Sequence, residues 1–190
     1  MLSNRRAAAR FGAVVLAGAL ATTGCAASAA SSGTTAAAPT TAATHTAHLM
    51  VYSINSDGPD FRAIVTGAIG DYGPAVTVFP DGTVDPSHTH DLELRLTRGS
   101  FKLSIAELDK KFIAVTSHEP IYPRTCSDFM TASAPMAIVP GSGTGAYRGI
   151  SGRFTVTITG DDVERSPCPR AMAFRWQALV LRGPGRVSAG

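Results

Sequence analysis

Period-two alternation of apolar and polar residues constrains this chain more than any other feature. Leu92, Leu94 and Leu96 alternate with Glu93, Arg95 and Thr97, and Phe101, Leu103 and Ile105 alternate with Lys102 and Ser104. Phe154, Val156 and Ile158 alternate with Arg153, Thr155, Thr157 and Thr159, and Met172, Phe174, Trp176 and Ala178 alternate with Arg175 and Gln177. Successive side chains of a strand point to opposite faces, so each run reads as a strand with one dry face and one wet face. Further β-rich pieces fall at 49–54, 62–69, 75–79, 112–117 and 134–139. Turn chemistry separates them. Pro80, Asp81 and Gly82 predict a tight turn, and Arg98, Gly99 and Ser100, between two alternating runs, predict a hairpin. Gly160, Asp161 and Asp162 read as the end of a strand. Only residues 104–111 (SIAELDKK) have helical character, enough for one to two turns. The expected fold is all-β: a small antiparallel β-barrel of about eight strands, with a β-sandwich as the alternative.

The first 25 residues are of another kind. Arg5, Arg6 and Arg10 supply charge, no acidic residue is present, and residues 11–21 (FGAVVLAGALA) form a short apolar run. A helix needs about 20 apolar residues to span a bilayer, so this run reads as the core of a signal peptide over residues 1–24. Gly24 precedes Cys25, and residues 20–25 (LATTGC) resemble a bacterial lipobox. The resemblance implies lipidation of Cys25 and anchoring at the outer face of the cell membrane; plain secretion is the alternative. Residues 25–48 then hold the cysteine and a stretch of Ala, Ser, Thr, Gly and Pro without apolar periodicity or charge. Such a segment buries too little surface to offset its ordering entropy, and it reads as a disordered linker. The barrel domain is assigned to residues 49–190.

Charge and cysteine follow from that partition. The chain has 17 basic and 14 acidic residues, and three of the basic ones lie in the signal segment, which leaves the remainder formally neutral. A neutral exported domain gives no basis for nucleic-acid binding. Outside the cytoplasm, two remaining thiols most often pair, so Cys126 and Cys168 are expected to form a disulfide closing a loop of about 43 residues.

Residues 141–152 (GSGTGAYRGISG) lead into a Thr-rich strand at 153–158. This run resembles the allene oxide cyclase-like and dirigent-like barrels. The resemblance implies an eight-stranded antiparallel barrel with a cavity. The catalytic residues of the plant enzymes have no matching positions here, so none is carried over. A phosphate-binding loop fails on spacing, since the last glycine comes one residue late and no Lys-Ser/Thr pair follows.

The best polar cluster runs from Asp85 through His88 and His90 to Asp91. His88 and His90 share parity with Leu92, so a strand extended back to 88 would turn both imidazoles inward. Two histidines at i and i+2 can ligate Zn²⁺ or Cu²⁺, with Asp85 or His118 as a third group, or serve as acid and base. A polar loop ahead of a strand beginning at Asp91 is the other reading. Tyr147 and Trp176 join His88 and His90 as candidate ligand-binding residues, with Phe174, Tyr122 and Arg175 behind them. No cofactor motif is present, and no Ser-His-Asp order or paired carboxylate marks an enzyme. The sequence thus leads to a membrane-anchored lipoprotein that binds a small apolar molecule or a protein partner. A cyclase- or isomerase-type enzyme and a His-based metal protein are the alternatives.

Overall fold

The computed structural model describes residues 43–54, 61–117, 121–164, 168 and 174–189. Residues 1–42, which hold the expected signal segment, Cys25 and most of the expected linker, lie outside the described residues, as does His118. Every described residue belongs to the compact unit Thr40–Gly190.

The elements are β1 (His45–Ile54), β2 (Phe61–Gly67), β3 (Asp71–Val78), β4 (Asp91–Leu96), β5 (Gly99–Ser104), α1 (Ala106–Thr116), β6 (Ser127–Ala137), β7 (Ser151–Glu164) and β8 (Phe174–Ser188). All eight strands form one antiparallel sheet in the order β5-β4-β3-β2-β1-β8-β7-β6. The sheet curls into a half-barrel rather than splitting into a sandwich, and β1 lies between β2 and β8. Neighbours in sequence are neighbours in the sheet except between β5 and β6, where α1 intervenes and packs on β6. The two edges approach each other through a bridge between Leu103 and Ile138 and a 2.9 Å bond from Val139 N–H to Lys102 C=O.

The alternation read from sequence lines the inside of this curl. Leu92, Leu94, Phe101, Leu103, Phe154 and Val156 are all buried, joined by Ala47, Leu49 and Val51 of β1. Each large apolar side chain removed from water contributes roughly 1.5–3 kcal/mol. Outward residues such as Arg95, Thr131, Ser133 and Thr155 stay exposed.

The glycine-rich run has a structural task. Thr144 N–H donates to Ser100 C=O at 2.8 Å and Ala146 N–H to Arg98 C=O at 2.9 Å, so residues 142–146 lie along the open edge of β5. A Cβ at Gly145 would sit 2.4 Å from the Arg98 carbonyl oxygen, and its φ of +55° is itself unfavourable for other residues. Close backbone contact thus covers polar groups that an exposed edge would offer to another chain.

Four expectations are corrected. First, β1 begins at His45, so residues 45–48 belong to the sheet rather than to the linker, and the domain starts before residue 49. Ala47 occupies the inward position there, and its small side chain gave little periodic signal. Second, residues 112–116 are helical, not a strand. Leu108, Phe112 and Val115 recur at i, i+4 and i+7 and pack on the core, a helical stripe that outweighs the β-branched composition. Third, β7 continues through Gly160, Asp161 and Asp162 to Glu164. A Cβ at Gly160 would meet Met130 and Phe112 at 3.2 Å, so glycine there accommodates close packing rather than a turn. Fourth, β8 turns Gln177, Leu179 and Leu181 inward, so Ala178 is on the opposite face from the one its alternation implied. The hairpin at Arg98 and Gly99 and the turn at Pro80 to Gly82 form as read, the latter with Gly82 at φ +89°.

Candidate functional site

The two ends of the barrel differ. One is closed around Asp71, the first residue of β3, which is 6% exposed. Its carboxylate accepts from the Tyr147 hydroxyl, the Thr97 hydroxyl, and the backbone N–H groups of Tyr72 (2.8 Å) and Arg98 (3.1 Å). Arg98 also donates from Nε at 3.4 Å and reaches the carbonyl of Ile69 through its terminal nitrogen. Burial works to raise the carboxyl of Asp71, but this ring of donors outweighs it and holds the group well below the usual carboxylate range. Burial and the bond to Asp71 push the Tyr147 phenol up to about 12. The Tyr147 ring packs edge-on against Phe101 at 5.4 Å. Tyr147 is therefore a plug, not part of the large cavity.

At the other end the barrel is hollow. A cavity of about 630 Å³ opens between the sheet and α1. Its walls are mainly apolar, with Val51, Leu92, Leu108, Phe112, Leu179 and Leu181 among them. Ser53, Thr77, His88, Asp109 and Gln177 are its polar groups. This volume, with apolar walls and few polar groups, falls in the range typical of small-molecule pockets.

The loop between β3 and β4 positions His88. Asp85 is fully buried and organises the loop, accepting from the N–H groups of Ser87 (2.8 Å), Thr89 (2.9 Å) and His90 (3.2 Å). His90 adds its Nδ1 at 2.9 Å. Burial would raise the Asp85 carboxyl, but these bonds hold it well below its ordinary value. The hydroxyl of Thr77 donates to the Asp85 carbonyl at 2.8 Å and lies 2.7 Å from Nδ1 of His88. His88 has φ +56°, a left-handed conformation rare for a residue with a side chain, and meets Phe61 edge-on at 6.0 Å. On α1, the Asp109 carboxyl is raised by burial and by the Asp85 charge, with His88 acting in the opposite direction.

Of the four residues singled out from sequence, only His88 is seen to line the cavity. The strand starts at Asp91, so His88 and His90 stand in a loop and do not converge. His90 turns to Asp85 and packs at a tilt against the ring of Phe79, 4.8 Å away, with its side chain 43% exposed. Among the described residues no group of three His, Cys, Asp or Glu side chains is placed to hold a metal ion. Trp176 sits on β8 next to Gln177, but its side chain lies outside the described residues, as do those of Phe174 and Arg175. Tyr122 is exposed. Cys126 and Cys168 are joined as a disulfide.

Sequence reasoning missed Thr77, Asp109, Gln177 and Asp162. Asp162 is 2% exposed and accepts from Gln177 Nε2 at 3.3 Å. Burial, reinforced by the charges of Asp128, Asp161 and Glu164 and opposed by the Gln177 bond, pushes its carboxyl up to about 6. Parity continued from Phe154 through Ile158 and Gly160 would have placed Asp162 inside. No family model, no curated protein and no solved structure matches the chain.

Proposed function

We propose that this protein is an exported lipoprotein, held at the outer face of the cell membrane through Cys25, whose barrel binds a small apolar molecule. The observation that carries the binding role is the 630 Å³ chamber with its apolar walls. The Cys25 context and the short apolar run ahead of it support the anchor, and a disulfide at Cys126 and Cys168 fits an oxidising compartment. The same reading groups the chain with the allene oxide cyclase-like and dirigent-like barrels, on the glycine run at 141–152 and the curled antiparallel sheet. A cyclase- or isomerase-type activity is the second reading, favoured by His88 and Asp109 lining one chamber.

The test has two parts. Cells fed an alkyne-tagged fatty acid should label the wild-type chain and not Cys25→Ala; equal labelling would refute the anchor. Native mass spectrometry of the exported chain should find a molecule bound one to one. A bare protein that also takes up nothing from a lipid extract would refute the binding role.

A further inference from the structure

The bond pattern behind His88 fixes which of its nitrogens remains available. Thr77 has one hydroxyl hydrogen, and that hydrogen goes to the Asp85 carbonyl, which can only accept. Toward His88, 2.7 Å away, the Thr77 oxygen is therefore the acceptor, and Nδ1 must carry the proton. In the neutral ring this leaves a lone pair at Nε2. Nε2 has no hydrogen-bond partner among the described residues, on a side chain that lines the chamber. The left-handed backbone of His88 shows that the loop holds this arrangement against local preference.

We infer that the chamber selects an apolar molecule with an uncharged hydroxyl head, which donates its hydrogen to Nε2 of His88. This deepens the binding role proposed above and rests on it. A carboxylate head has no hydrogen to give to the lone pair at Nε2 and would lose its hydration among apolar walls. An ether of the same size has no hydrogen to give. A cationic head would lose its hydration in a chamber whose walls are mainly apolar.

The experiment uses the chain from Ala26 onward, exported as a soluble protein, which retains the whole of the compact unit Thr40–Gly190. Calorimetric titration compares four probes of similar length: octanol, methyl heptyl ether, octanoate and octylammonium. Octanol should bind best, roughly tenfold more tightly than the ether. Two variants should bring the octanol-to-ether affinity ratio down to about one, and a ratio that stays near ten in both overturns the head-group inference. His88→Gly removes the imidazole at a backbone position glycine adopts freely, and Thr77→Val releases the tautomer. Equal binding of octanol and ether, or tightest binding of octanoate or octylammonium, overturns the head-group inference alone. No binding by octanol or ether overturns the binding role with it.

Discussion

Replacing Tyr147 by Phe tests whether the closed end of the barrel works as described. The ring and its contact with Phe101 stay, and one donor to the buried Asp71 carboxylate is lost. A hydrogen bond to a charged group contributes about 1.5–3 kcal/mol net, and a domain of this size loses about 2–4 °C of Tm per kcal/mol. The expected fall is roughly 3–12 °C in a calorimetric or circular-dichroism melt. The pH profile gives an independent signature. The Tyr147 phenol is raised from 10.0 to about 12 in the folded protein. Between those values the unfolded chain gives up a proton that the folded chain keeps, so this contribution is complete below pH 10 and is lost as pH rises toward 12. Tyr147→Phe should lack that alkaline loss. Asp71 works in the opposite sense. Its folded value is depressed, so its contribution is present above the unfolded value of 3.8 and is lost as pH falls below it. Removing one of its donors should shallow the acid loss. An unchanged Tm together with an unchanged alkaline limb would refute the role assigned to this pair.

Asp162 should produce the reverse of the Asp71 effect. Its folded value of about 6 lies above the reference 3.8, so the folded state holds the extra proton and stability should decline as pH rises from about 4 to about 6. Denaturant titration of Asp162→Asn should show no such decline and greater stability than wild type at pH 7; parallel profiles for the two proteins would contradict the assignment. Reducing the Cys126–Cys168 disulfide, which spans 42 positions, should destabilise by about 4 kcal/mol in urea melts with and without reductant. Coincident melts would show that the bridge constrains nothing.

Most of the fold was legible because it depends on a local pattern. Leu92 to Leu96, Phe101 to Ile105 and Phe154 to Ile158 announce both their strands and their inner faces. Reading failed where apolar size was small or where two patterns overlapped. Ala47 gave no signal that β1 had begun, and the β-branched residues of 112–116 hid a helical stripe that only Leu108, Phe112 and Val115 reveal together. The site was less legible for a physical reason. Its polar groups come from β1, β3, the β3–β4 loop, α1 and β8, and only long-range pairing brings Ser53, Thr77, His88, Asp109 and Gln177 to one chamber. His88 and His90 were found as a pair but separate, since the loop spends His90 on Asp85. Tyr147 drew notice as an aromatic in a glycine run, and its hydroxyl proved to hold the closed end together.

The central claim is that the hollow end of the barrel takes up an apolar molecule. Titration with an environment-sensitive fluorophore such as anilinonaphthalene sulfonamide, in wild type and in Leu179→Trp, addresses it directly. Leu179 lines the chamber, so the larger ring should narrow it without disturbing the closed end. The account predicts saturable one-to-one enhancement in wild type and clearly weaker binding in Leu179→Trp at an unchanged melting temperature. Binding of equal affinity in the two proteins would locate the dye elsewhere and contradict the account.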